Sequence, residues 1–178
     1  MSRLIRRTGF ALALLLSGCA AQAPQQGHRN PAAMIASAAL FDPARFAGPW
    51  HVVADFPGPG ASSCGITRED WRQTVPGRFE VSGAACGPRG RTGFSAMAVV
   101  VGPGRIDLSA GSTRPDLGGE PLWVLWIDAD YRVAAIGTPS GRFGMILSRE
   151  SAARGDLYTA AREVLDFNGY ALERLRPR

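Results

Sequence analysis

Three cysteines, two histidines and 15 carboxylates are the side chains of this 178-residue chain that could do chemistry. A thiol can take an acyl group, pair as a disulfide or bind metal. Cys19, Cys64 and Cys86 form no Cys-x-x-Cys, and only His28 and His51 accompany them, so no metal site is expected. His51 could act as a base with Asp55 or Asp130, but a strand that turns Trp50 inward turns His51 outward. Glu69 and Asp70 are adjacent, so on a strand they face opposite sides and do not converge. The chain has no G-x-S-x-G elbow, no H-E-x-x-H, no P-loop and no G-x-G-x-x-G. No catalytic residue and no cofactor are therefore assigned, and the chain is not read as an enzyme.

The first residues decide the fate of the Cys19 thiol. Arg3, Arg6 and Arg7 precede an apolar run over 10–16, then Ser17-Gly18-Cys19. A basic region, a short apolar stretch and small residues describe a secretory signal peptide. The run is shorter than the roughly 20 residues of a membrane span, so residues 1–18 are expected to be removed. Leu16-Ser17-Gly18-Cys19 resembles the lipobox of bacterial lipoproteins. The resemblance implies a diacylglyceryl group on Cys19, cleavage before it and acylation of the new amino terminus. Two or more acyl chains anchor stably where one does not. Ala20, not an acid, follows, which by resemblance to bacterial sorting rules implies the outer membrane of the cell envelope, on its periplasmic face.

The formal charge of +5 is set largely by that leader, since three of the 20 arginines leave with it and none of the 15 acids does. The remainder is nearly neutral and has no basic stripe, which excludes nucleic acid as a partner on charge grounds. About 160 residues make one domain with a sizeable core. In an exported chain the remaining pair, Cys64 and Cys86, is expected to form a disulfide.

Residues 19–40 read as a polar tether in which His28 is solvated. Asn30-Pro31 offers a cap and first turn for a short helix through Ala39. From Trp50 the texture becomes β: runs at 50–56, 65–75, 78–85, 92–101, 105–110, 122–127, 131–137 and 143–148, separated by Gly/Pro punctuation. Phe79, Val81 and Gly83 alternate with Arg78, Glu80 and Ser82, so one face is buried and the other wet. The Cys64–Cys86 bond would tie the two ends of the hairpin that turns at Pro76-Gly77, closing about 23 residues for about 3 kcal/mol. Asp156 could cap a helix bearing Leu157, Ala160, Ala161, Val164 and Leu165, ended by Asn168-Gly169. A last strand is placed at 170–172.

Three segments are similar to the lipocalin family, over most of residues 41–178. Phe41-Asp42, then Arg45-Phe46-Ala47-Gly48-Pro49-Trp50, resembles its opening motif of a helical turn and Gly-x-Trp. Leu122 through Asp128-Ala129-Asp130-Tyr131 resembles its loop between strands six and seven. Arg142-Phe143, then Ile146-Leu147-Ser148-Arg149, resembles the end of strand eight. The subgroup most similar is the bacterial outer-membrane lipocalin lipoproteins, which also resemble apolipoprotein D. The resemblance implies an all-β fold: an eight-stranded antiparallel up-and-down barrel with one C-terminal helix and a short final strand. Gly48, Trp50, Asp130, Tyr131 and Arg149 become structural signature residues. Closure makes Trp50 and Arg149 neighbours, as a cation–π pair.

In such a barrel a hydrophobic ligand meets inward side chains. With Trp50 inward, Val52, Ala54 and Phe56 follow, and alternation adds Phe79, Val81, Ile106 and Leu108. Met97, Val99, Trp123 and Leu125 are taken as inward too, although 94–101 and 122–127 are apolar on both faces and Val124 and Trp126 are the alternatives. Trp71 could face either way. Small Ala54, Gly83, Ala96 and Ala98 would leave volume. Arg68, Arg72, Arg89 and Arg91 could read an anionic head group. The leading expectation is a membrane-anchored module holding a fatty acid or lysophospholipid for storage, transport or envelope maintenance. A filled barrel with a structural or interaction role is the second, and an enzyme acting on a lumen-bound lipid is the third.

Overall fold

The computed structural model describes residues 27–57, 65–87, 90–108 and 120–178. The expected leader, the lipid attachment at Cys19, the Cys64–Cys86 bond and Arg89 lie outside the described residues. Eight strands form one antiparallel sheet: β1 (Gly48–Asp55), β2 (Arg68–Val75), β3 (Arg78–Gly87), β4 (Gly90–Gly102), β5 (Arg105–Leu108), β6 (Leu122–Ile127), β7 (Val133–Gly137) and β8 (Gly144–Ser148). Each pairs with the next, and β1 pairs with both β2 and β8. The sheet thus closes into the expected up-and-down barrel, which leaves few bare edges. Helix α1 (Pro43–Phe46) precedes it, and α2 (Gly155–Phe167) follows. A two-residue strand, β9 (Arg176–Pro177), adds to β1 beside Ala54 and Asp55. The final strand is therefore not at 170–172, where Tyr170 makes a single bridge to Arg29 and Leu172–Arg174 form a 3-10 turn.

Connections alternate between two ends. The β2–β3, β4–β5 and β6–β7 turns share one end with α1, which closes it. The β1–β2, β3–β4, β5–β6 and β7–β8 connections belong to the opposite end, which carries no helical cap among the described residues and is called the open end.

Two apolar clusters share the wall. The inner one holds Trp50, Val52, Trp71, Phe79, Val81, Ile106, Ile136, Met145 and Leu147, among others. The outer one is built where Ala161 and Leu165 of α2 cover Val53, Ala54, Leu125, Val133, Ala135 and Ile146. Covered on both faces, β7 and β8 are buried at every position. By contrast, β2 and β4 alternate, with one side in solvent.

The segment before α1 does not hang free. Asn30 does cap one turn, its side chain accepting from the Ala32 N–H. Beyond it the expected helix is absent, because the backbone bonds sideways: Ala36 N–H to Asn168 Oδ1, Ser37 Oγ to Pro103 O, Ala38 N–H to Val124 O. The segment is a strap laid down the outside of the barrel, from the open end to the closed one. Its upper end is clamped by buried Arg29, whose guanidinium donates to the carbonyls of Asn168, Pro139 and Ala33. His28 is half-buried rather than solvated, against Phe56 at 5.3 Å between ring centres.

Candidate functional site

The closed end is fixed by Arg149, which leaves the end of β8 and lies over Trp50, 3.7 Å from its ring centre. Its guanidinium donates to the carbonyls of Pro49, Arg45, Phe46, Ala47 and Tyr131. Burial lowers its pKa from the ordinary value, yet an arginine remains charged at any working pH. Gly48 has φ +100, a backbone conformation that favours glycine. The Trp50 indole N–H donates to Phe46 O. Tyr131, at φ 61, accepts the Asp42 N–H on its hydroxyl and carries Arg45 over its ring at 4.2 Å.

The loop's organising carboxylate is Asp128, two residues before the signature Asp130. Asp128 is buried and accepts from the N–H groups of Asp130, Arg132 and Val133 and from Arg132 Nε. Burial alone would raise its pKa. The hydrogen bonds outweigh that and hold it below the ordinary carboxylate value. Asp130 is exposed and pairs with Arg132 at 3.0 Å.

Above this end the inner wall begins with an aromatic floor. Phe46 meets Trp50 at 5.2 Å, Trp71 at 5.1 Å and Phe79 at 6.4 Å, mostly edge to face. Of the expected lumen residues, Val52, Phe79, Val81, Ile106 and Leu108 belong to the inner side. Ala54 and Phe56 do not: a bulge between Val52 and Ala54 slips the alternation of β1 and turns both onto the outer cluster. Trp123 and Leu125 also face outward, under α2 and the strap, while Val124 faces in. Met97 is exposed, and Val99 shares its outward parity. The inner positions of β4 are Phe94, Ala96 and Ala98. Trp71 is inside.

Composition alone does not show that Gly83 leaves no volume. A Cβ there would lie 2.6 Å from Phe94 Cζ, so the Phe94 ring already fills the space. The buried members of the inner cluster are 0–7% exposed, with Val52, Ile66, Phe94 and Ala96 at 4–5%, and Leu108 and Val100 are partly buried against them. Amid them is Glu69, fully buried, opposite Gly83 of β3 and accepting the Trp71 indole N–H at 3.0 Å. Alternation with Trp71 could have revealed this inward carboxylate.

The head-group candidates separate. Arg72 lies on the outer face, exposed and paired with Glu80. Arg68 is exposed on the same face, at the start of β2. Arg91, near the β3–β4 tip, donates to Thr67 Oγ1 at the open rim. His51 shares the outer parity of Arg68.

A closed eight-stranded barrel, sealed at one end by a helical turn and an Arg–Trp stack, defines a lipocalin-type binding protein. A family model described as a lipocalin-like domain matches residues 41–178, and the chain belongs to that family. The search of curated proteins gives no significant match. Among solved structures, lobster apocrustacyanin A1 is similar at 13% identity and TM-score 0.59, over 75% of this chain and 77% of that one. Cockroach allergen Per a 4 is similar at 14% and 0.59, over 83% and 94%. The siderocalin Ex-FABP, described as functioning through dual ligand specificities, is similar at 19% and 0.56, over 75% and 93%. The lipocalin fold binds small hydrophobic ligands, and its members are generally binding and transport proteins.

Proposed function

We propose that this protein is a lipid-anchored lipocalin of the bacterial outer-membrane subgroup, holding a fatty acid or lysophospholipid for storage, transport or envelope maintenance. The observation that carries the ligand reading is the apolar inner wall around Val52, Ile66, Phe94 and Ala96, above an aromatic floor. Each methylene buried there would contribute about 0.8 kcal/mol. The anionic head group stays at the rim, within reach of Arg91. The anchor reading rests on Leu16-Ser17-Gly18-Cys19.

Native mass spectrometry of the purified protein, followed by organic extraction, tests the ligand. A stoichiometric acyl lipid is the expected result. A protein that is empty and takes up neither fatty acid nor lysophospholipid overturns the ligand reading. The near-complete burial of the inner side chains favours a second reading, a filled barrel with a structural or interaction role, and that outcome would select it.

A further inference from the structure

We infer that the outward side of the strap is a lipid-docking face, which lays the barrel on its side against the bilayer that holds the anchor. This rests on the reading of Cys19 as the anchor. The strap carries no charged side chain from Asn30 to Phe41. Its inward side chains are used on the barrel: Ile35 packs against the outer cluster, and Ala38 and Phe41 against the inner one. Its outward side chains are apolar as well. Pro31, Ala32, Met34, Ala36, Ala39 and Leu40 are all exposed. Leu40 is 94% and Met34 88% exposed, the highest values for large apolar side chains among the described residues. Such clustering marks a contact surface rather than a wall that meets only water. The apolar surface also continues past the strap. Phe167, where α2 ends beside it, is 79% exposed. At the lower end Ser37 Oγ donates to Pro103 O in the β4–β5 turn, which carries exposed Val101. The Val100 N–H donates to Gly77 O, which brings exposed Val75 alongside.

The tether indicates what covers this face. The strap begins at Gly27, which packs against Ser140, and at His28, whose N–H donates to Gly141 O. From Gly27 eight residues lead back to Cys19, a reach of about 27 Å at full extension. The start of the strap therefore stays within that distance of the bilayer. Met34 and Leu40 lie in different halves of the strap, so a flat surface meets both only when the strap lies along it.

Charge does not drive the contact. Beside the strap, exposed Arg105 stands with Asp107 on β5, and Arg162 with Glu163 and Asp166 on α2. At its lower end exposed Arg45 and Arg78 stand with Asp42. At its upper end exposed Arg142, Arg174 and Arg176 stand with Glu173. Both signs flank the strap along its length, and neither lies on its outward side. Burial of apolar side chain, rather than attraction to anionic lipid, carries the docking.

The test uses the full-length acylated protein in vesicles of phosphatidylcholine, a lipid of no net charge. A benzophenone amino acid replaces Ala36 on the strap or Ser82 on the bare outer face of β3. Acylation of Cys19 and vesicle flotation are read on every sample. The expected result is photocrosslinking to phospholipid at position 36 and not at 82, unchanged at about 0.5 M salt, where charges are screened within a few ångströms. Met34→Ser with Leu40→Ser should weaken the crosslink at 36 by about tenfold without loss of flotation. Both side chains lie in solvent, so these changes leave the packing of the strap intact. Three results from acylated and floating protein overturn the docking face and leave the anchor standing: equal crosslinking at both positions, a double variant that crosslinks like the wild type, or crosslinks from 36 to a second copy of the protein in place of lipid. A Cys19 that carries no acyl chain overturns the anchor reading and the docking with it.

Discussion

The guanidinium of Arg149 stands 3.7 Å from the centre of the Trp50 indole while donating to carbonyls in the last turn of α1 and just after it. One side chain thus ties the end of β8 to the start of β1 and to the helical turn that closes the barrel. Arg149→Ala should lower stability by about 2–4 kcal/mol, combining the cation–π contact with hydrogen bonds from a charged donor. Arg149→Lys should recover less than half, since an ammonium cannot reach the same fork of acceptors. Urea unfolding checks both. An alanine variant with an unchanged midpoint would mean the closed end holds without this residue.

Asp128 predicts an acid limb in the stability profile. Its pKa is depressed in the folded protein, so its contribution is complete above the unfolded value of about 3.9 and is lost as pH falls through the lower folded value. Asp128→Asn keeps the shape but loses the charge and one acceptor. It should destabilise the protein near neutrality and flatten the decline between about pH 5 and 3. Wild type and variant with parallel midpoints across that range would place the acid sensitivity elsewhere.

His28 gives a second, separable pH effect. Its Nε2 donates to Pro57 O, which leaves Nδ1 as a buried lone pair with no hydrogen-bond partner among the described residues. Burial depresses its pKa below 6.5, so the neutral ring is favoured in the fold. The stability it contributes is full above about pH 6.5 and is lost as pH falls through the folded value. The strap should loosen first, because its backbone bonds flank that ring. Protection of the His28 and Ala171 amides, measured against their intrinsic exchange rate at each pH, should fall between about pH 7 and 5, and His28→Phe should remove the change. Protection that falls equally in the variant would contradict this.

Phe94 tests whether the lumen is packed. Its ring lies against Gly83 and is 5% exposed. Phe94→Ala should cost about 3–5 kcal/mol, as truncation in a dry core does. It should also admit a bulkier fluorescent fatty acid than the wild type takes. Unchanged stability and unchanged uptake would show that the ring does not set the free volume of the barrel.

Tyr170 couples the C-terminal segment to the open end. Its hydroxyl accepts from the Thr138 N–H and lies within donor reach of the Thr138 and Phe143 carbonyls. Side chains at Gly137 or Gly144 would run into the phenol. Burial raises its pKa. Tyr170→Phe should cost about 1–3 kcal/mol by leaving the Thr138 N–H buried and unpaired, measured by denaturation. No loss would indicate that water or a rearranged turn replaces the hydroxyl.

The eight strands, the helix near 155–167 and the Trp50–Arg149 stack were legible in the chain itself, because turn residues, alternation and signature spacing are local signals. Phe79, Val81, Ile106 and Leu108 could be placed inside for the same reason: their strands are wet on one face. Where α2 and the strap cover the outer wall, both faces are apolar and period two vanishes. Leu125, Trp123 and the β1 bulge that turns Ala54 and Phe56 outward were therefore decided only in the tertiary structure. The strap was misread as a tether because its hydrogen bonds go to Val124, Asn168 and Gly141, far away in the chain. Sequence determined that a closed barrel forms and which residues seal it. Tertiary packing decided which side of the wall the apolar residues of β6 and the end of β1 face, and at which end the N-terminal segment meets the barrel. Those outcomes depend on contacts between distant segments, which no local pattern encodes.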